Sequence, residues 1–388
     1  MGAKPQIPTQ QQIKLLHQKQ IFLKALSSGG ISRAELRDML EISFPAVSAL
    51  TEELLKAGIL LEDGTLAPGQ RGRPRSLLQV RGEAMAIPVA AMTTEGYRCS
   101  LFDCRGQLLE QQFLPYSENR ENMDALCRPL REWLRSRQDR ERIRVLVLTA
   151  PGNFDREGAL SSTVLSFSTP DHFLSRLREA LGLPLFFYNN ADCFAYGEKY
   201  TQELPEDYIV ISVGRGVGAG IIRHGKVFGD GPLRAGEIGH ISIDHRGPLC
   251  PCGSRGCLER YVRISQLCRE AGELLGLPES PDFQQVCELA QREDPRILGL
   301  IREKAGLLAL GISNMLAMQP VSHVVIGGGI EGLGQPFLDA LWQNIRTTGL
   351  RKYMDQVTVI YAARKPGSEA QGAIRIFLDH DLRMDMYP

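Results

Sequence analysis

The sequence predicts an α/β protein in two parts, a winged helix-turn-helix over residues 1–80 and a two-lobed α/β body over residues 84–388. Three observations lead there. The N-terminal stretch carries three short helical patterns, followed by a strand, an arginine-rich loop and a second strand. From Ala84 onward, apolar runs alternate with glycine turns and helical stretches. Finally, the body repeats itself: AIPVAAMTTEGYRCSLFDCRGQLL and YIVISVGRGVGAGIIRHGKVF each read strand, turn, strand, turn, strand.

In the first part, Ile13, Leu16, Ile21, Leu23 and Leu26 recur at helical spacing over 11–26, and the paired glycines Gly29 and Gly30 offer a C-cap. Ser32-Arg33-Ala34-Glu35 is a capping box, with Leu36, Met39 and Leu40 as the apolar face of the helix it starts. Glu41-Ile42-Ser43 makes a tight turn. Ser43 then caps a third helix with Pro45 in its first turn, Val47, Leu50, Leu54 and Leu55 as its buried stripe, and Gly58 as its stop. After Gly58, ILLEDGTLAPGQRGRPRSLLQV reads as two strands around a loop holding Arg71, Arg73 and Arg75, the wing.

Charge favours double-stranded DNA as the partner of this part. The whole chain is neutral, with 45 basic and 45 acidic residues, yet residues 1–80 hold ten Lys/Arg against seven Asp/Glu. Three arginines beside Gly72 and Pro74 suit phosphates or a narrow minor groove. The outward face expected of the third helix offers Ser43, Pro45, Ser48, Thr51, Glu52 and Lys56, with no Arg, Asn or Gln for bidentate base readout. The wing and DNA shape are therefore expected to carry much of the affinity. An ordinary three-helix bundle with a solvated basic loop is the plainer alternative.

The body reads as strands AIPVAAM and RCSLFD, a charged helix near 117–137, strands RVLVLTAPG and LFFYNN, the long hairpin from Asp207, then HVVIGGGI and VTVIYAARK. Its C-terminal GAIRIFLDH is expected to form a helix packing back on the first lobe. Such duplication is what a two-lobed, actin-like sugar kinase shows. With nine cysteines, an odd number, and no apolar run of about 18 residues, the sequence reads as a cytoplasmic protein without a membrane segment or disulfide scaffold.

GVGAGIIRHGKVF, then GEIGH, then C-x-C-G-x-x-G-C-x-E, then VVIGGGI resembles the ROK family of repressors, open reading frames and sugar kinases. A winged helix followed by RGRP is the layout of that family's transcriptional repressors, and the resemblance spans essentially the whole chain. It implies an actin-like ATPase (sugar kinase, ribonuclease H-like) fold, with lobe 1 at about 84–188 plus 372–388 and lobe 2 at about 189–371. His240, Cys250, Cys252 and Cys257 form a Cys3His set suited to tetrahedral Zn²⁺, a structural ion since protein fills all four positions. His245 in place of His240, and three free thiols in a glycine-rich loop, are the alternatives. Cys99, Cys104, Cys127, Cys193, Cys268 and Cys287 are expected to be buried apolar residues.

The resemblance further implies that Glu237, His240 and Glu259 hydrogen-bond sugar hydroxyls, with Asn189 and Asn190 beside them. The family's kinases carry an acidic D-x-G-G-T hairpin, where this chain has Val89-Ala90-Ala91-Met92-Thr93-Thr94. Their N-D-A-N segment supplies a general base, and Asn190 stands in its place. An amide binds a hydroxyl but cannot take its proton. Asp192 could substitute only if the turn were rearranged, and Val325 to Ile330, which resembles the family's adenosine-side glycine turn, reads more simply as a close-packed strand-to-helix turn. The expectation is a sugar-responsive repressor, dimeric or tetrameric, without kinase activity. An ATP-dependent sugar kinase with an accessory DNA-binding domain is the alternative.

Overall fold

A computed structural model describes residues 9–65, 76–117, 122–165, 167–229, 235–348, 351–363 and 369–387. Helices α1 (Gln10–Ser28), α2 (Arg33–Leu40) and α3 (Phe44–Lys56) and strands β1 (Leu60–Thr65) and β2 (Ser76–Val80) form the winged helix. Ser32 and Glu35 make the expected capping box, and the Ser43 hydroxyl accepts from the Ala46 amide. A second capping box, Thr9 with Gln12, starts α1, and Gly29 ends it at φ 68°. The wing loop with Arg71, Arg73 and Arg75 lies outside the described residues.

Three apolar positions differ from expectation. Ile13 and Leu16 are exposed because the buried side of α1 is its later turns, Gln18, Ile21, Phe22 and Ala25, and Met39 is exposed at the end of α2, whose buried residue is Leu36. The later turns of α1 pack on the rest of the winged helix and also on the body. Ile21, Phe22, Leu36, Val47 and Leu78 belong to the same apolar cluster as Val89, Phe377, Leu382 and Tyr387. The winged helix is thus seated on the body through a shared core.

The body holds two five-stranded sheets of the same order. In the first, β3 (Ala86–Met92), β4 (Gly96–Asp103) and β5 (Leu108–Pro115) form an antiparallel meander. Strands β6 (Leu146–Ala150) and β9 (Leu185–Asn189) add parallel beyond β3, and the short β7 (Asn153–Phe154) and β8 (Leu160–Ser161) pair between them in sequence. In the second, β10 (Tyr208–Val213), β11 (Val217–Arg223) and β12 (Lys226–Val227) form the meander, and β13 (His323–Gly327) and β14 (Thr358–Tyr361) add parallel. The internal repeat read from the sequence is therefore a repeat of topology.

Both faces of each sheet are covered. Along β10, Ile209, Ile211 and Val213 face one cluster while Tyr208 and Val210 face another, the period of two that a pleated strand imposes. Helices α4 (Met123–Arg135) and α5 (Phe173–Leu181) cover the outer face of the first sheet. The second is covered by α7 (Glu259–Val262), α8 (Ile264–Leu275), α9 (Phe283–Gln291), α10 (Pro295–Met318), α11 (Gln335–Thr347) and α12 (Arg351–Met354). Between the sheets cross α6 (Asn190–Glu198) and α13 (Glu369–Ile376), the latter continuing as a wide turn over Phe377–Asp381.

Glycines let α6 lie this close to its neighbours. A Cβ on Gly372 would sit 1.7 Å from the Cys193 carbonyl oxygen, and one on Gly220 2.4 Å from the Ala195 Cβ. Gly372→Ala is expected to lower stability by at least the ~1–3 kcal/mol of an overpacked core. Gly299→Ala, exposed in α10 with open space around it, is expected to raise stability by about 0.5–1 kcal/mol. Thermal melts of both variants test the contrast, and equal melting points would contradict it.

Candidate functional site

Where the two halves face each other lies a cleft of about 690 Å³. Its walls are the turns that end β3 and β10, the loops around Asn153 and Ser162, the first turn of α6, and the segment Glu237–His240. The last of these walls is shaped by a backbone constraint. A Cβ on Gly236 would meet the Ala219 carbonyl at 2.1 Å, and one on Gly239 the Val217 carbonyl at 2.1 Å. The G-E-I-G-H segment therefore lies flush on β11, with Glu237 and His240 held at the cleft.

Glu259 begins α7 and is buried, its Oε2 accepting from the Val217 amide at 3.1 Å. Glu237 Oε1 accepts from Asn153 Nδ2 at 3.0 Å, a hydrogen bond that joins the two halves across the cleft. The sequence puts Pro151-Gly152-Asn153 on the first-lobe side of the pocket without assigning Asn153 a contact. The signal for it was local: Gly152, at φ 110° with no room for a Cβ beside the Ser161 carbonyl, aims the residue that follows it. A second cross-cleft contact runs from Arg215 to the Thr94 hydroxyl at 3.2 Å, over the turn aligned with the kinase hairpin.

His240, Cys250, Cys252 and Cys257 converge, with one ligand atom from each lying within 4.8 Å of the others. Cys252 Sγ and Cys257 Sγ are 3.6 Å apart, and Cys250 Sγ is 3.7 Å from His240 Nδ1. Zinc–sulfur bonds of about 2.3 Å at tetrahedral angles place two sulfurs about 3.8 Å apart, so the donor set fits such an ion. His245 lies outside the group. The glycines again carry the loop: a Cβ on Gly256 would overlap the Asp244 carbonyl at 1.6 Å, and Gly253 is at φ 93°.

His240 turns its Nδ1 to the thiols, while its Nε2 lies 3.9 Å from Glu237 Oε2. One ring thus connects the cysteine loop to the cleft wall. Burial raises Cys250 and pushes Cys257 up to about 12. At Cys252 desolvation is outweighed by hydrogen bonds from the Ser254 amide and the neighbouring thiols, which bring it down to about 7. A cation bound here has to displace the remaining thiol protons, so its affinity falls as pH falls. The six other cysteines are buried, as expected.

Two expected site residues are engaged in structural hydrogen bonds. Asn189 caps α6: its Oδ1 accepts from the Ala191 amide at 2.8 Å and its Nδ2 donates to the Gly152 carbonyl at 3.0 Å. Asn189 and Asn190, the next residue, both line the cleft. Thr51 is fully buried and does not reach the outer face of α3, because its Oγ1 accepts from Arg33 Nε at 3.0 Å and tethers α2 to α3. Ser43 and Pro45 are exposed, Ser48 is half-buried, and Ala49 is exposed on the same helix. Asp192 is buried and borders a second cavity, which shares Gly152, Asn153 and Asn189 with the cleft. Gly328 and Gly329, both at positive φ, form the close-packed turn expected after β13.

The ROK family profile matches residues 93–380. A xylose repressor of Bacillus subtilis (strain 168) is 24% identical over 379 residues, covering 96% of this chain and 97% of its own. A glucokinase of Thermotoga maritima is 27% identical over 241 residues, 57% of this chain and 75% of its own. Among solved structures, a ROK family transcriptional regulator described as a homolog of the E. coli MLC protein superposes with a TM-score of 0.79 at 21% identity. It covers 95% of this chain, and this chain covers 97% of it.

Addition of Co²⁺ to metal-free protein is expected to give thiolate-to-cobalt absorption that weakens as pH falls and is lost in Cys250→Ser. A spectrum unchanged by that substitution would reject the cluster as a metal site.

Proposed function

The chain belongs to the ROK family, and on that premise we propose that it is a sugar-responsive, DNA-binding transcriptional repressor. The observation that carries this reading is that one chain combines a winged helix with a cleft that keeps sugar-type ligands but has Asn190 where a kinase needs a base. The similarity to a full-length xylose repressor supports it, since that match includes the N-terminal part. The working division is a DNA-binding domain at 1–80, lobe 1 at 84–188 with 372–388, and lobe 2 at 189–371.

In this reading the sugar's vicinal hydroxyls donate to Glu237 and Glu259, His240 offers Nε2, and Asn190 accepts or donates without abstracting a proton. His240, Cys250, Cys252 and Cys257 would hold a zinc ion, which would supply a structural cross-link between the His240 ring and the loop beneath the pocket. Asn153 on one side and Glu237 on the other let a bound sugar bridge the cleft, so occupancy changes the angle between lobes. Ser43, Pro45, Ser48 and the wing arginines Arg71, Arg73 and Arg75 face operator DNA. A homodimer or tetramer then sets the spacing of two winged helices against two half-sites.

Thermal melts with pentoses, hexoses and N-acetylhexosamines, each with and without MgATP, test the reading. One sugar is expected to raise the midpoint regardless of MgATP, and a shift that requires MgATP would favour the kinase reading. Glu237→Ala is expected to weaken that sugar roughly 10- to 100-fold, the loss of a charged hydrogen bond worth about 1.5–3 kcal/mol. Asn190→Asp is expected to show no MgATP-dependent phosphorylation, because the phosphate hairpin is also missing; turnover in a coupled assay would overturn the account of lobe 1.

A further inference from the structure

We infer that α6 and the wide turn after α13 form the coupling element through which occupancy of the cleft reaches α1 of the winged helix. The inference rests on the sugar-responsive reading above and adds the route.

The first link is at the cleft. Asn190, the first residue of α6, lines it, and the helix rises about 1.5 Å per residue away from there. The second link is rigidity. Glycine contacts lock α6 to β11 through Gly220 and to α13 through Gly372, so a shift of its first turn is carried by the whole helix.

The third link is a set of phenols gripping two carboxylates. Tyr196 at the far end of α6 donates to Asp379 at 2.6 Å, Tyr200 just beyond also donates to Asp379, and Tyr188 on β9 donates to Asp381 at 2.5 Å. Lys199 Nζ lies 3.9 Å from Asp379, and the Arg375 guanidinium stands 5.1 Å over the Tyr200 ring. The turn is thus held by Tyr196 of the helix that begins in the cleft, by Lys199 and Tyr200 just past its end, and by Tyr188 of β9.

The last link crosses to the winged helix. His380, between the two gripped carboxylates, gives its carbonyl to Lys19 Nζ of α1 at 2.6 Å, and Tyr387 packs on Phe22 at 6.1 Å between ring centroids. Beside the turn lies a second cavity of about 560 Å³, bordered by Phe154, Phe187, Asp192, His380 and Asp381. That space is what a packed turn needs in order to take a second position. A purely structural role for these contacts would stabilise the chain without transmitting anything, and the experiment separates the two.

Hydrogen exchange of the full chain is followed by mass spectrometry with D-xylose, D-glucose and N-acetyl-D-glucosamine, each added separately. The sugar that protects 236–240 is expected to change exchange in Gln10–Ser28 at least threefold in the wild type. In Tyr196→Phe/Tyr200→Phe, and independently in Lys19→Met, the cleft protection should persist while the change in α1 falls by more than half. An undiminished α1 response in both variants overturns the coupling element, as does a wild type whose cleft is protected while α1 does not respond. If none of the three sugars protects the cleft, the sugar reading itself falls and takes the coupling element with it.

Discussion

The close crossing of α6 with its neighbours is the contact on which the rest of the molecule depends. A helix between two sheets normally stands off by the width of its side chains. Here Gly220 and Gly372 remove that width on two sides, so the helix backbone rests on β11 and on α13. Everything functional is referenced to it. Its first turn forms the floor of the cleft, its last turn holds the C-terminal turn, and both sheets bury one face against the α6 and α13 pair.

The cleft divides chemically along the same line. On the side of the second sheet, glycines, a buried carboxylate and the cysteine loop fix polar groups at the cleft: Glu259 on the Val217 amide, Glu237 and His240 against β11. On the side of the first sheet the turn after β3 carries Thr93 and Thr94, and Arg215 reaches across to Thr94. A phosphate cradle needs backbone amides free to approach an anion closely, which is why glycine pairs occupy such turns. Here threonines with branched Cβ atoms take those positions, and Arg215 meets one of them.

How much of this was legible in the sequence follows from which constraints are local. The capping box at Ser32, the Ser43 cap, the strand-turn repeat and the Cys3His spacing are short-range patterns, and each is found where it was read. Thr51 was misplaced because a helical wheel cannot see Arg33 arriving from another helix to take its hydroxyl. Asn189 and Asn190 both line the cleft, yet the helix starts between them, so Asn189 also uses its amide to cap α6. Asn153 and the grip of Tyr196 on Asp379 join residues 84 and 183 positions apart in sequence, and only the fold brings them together.

The seating of the winged helix has a thermodynamic consequence. Were it tethered by a solvated linker, DNA binding and cleft occupancy could vary independently. Instead Ile21, Phe22 and Leu36 share one apolar cluster with Leu382, Met384, Tyr387 and the α6 residues Cys193 to Tyr196. A displacement of α1 relative to the body must therefore either repack that cluster or move α6 with it. Packed interiors resist continuous deformation and respond by switching between discrete arrangements. Linkage then makes the coupling reciprocal: whatever factor a cleft ligand imposes on DNA affinity, DNA imposes on that ligand. A protein held on its operator should accordingly sample its effector with an affinity different from that of the free protein, and the size of that difference measures how completely the shared core transmits the motion.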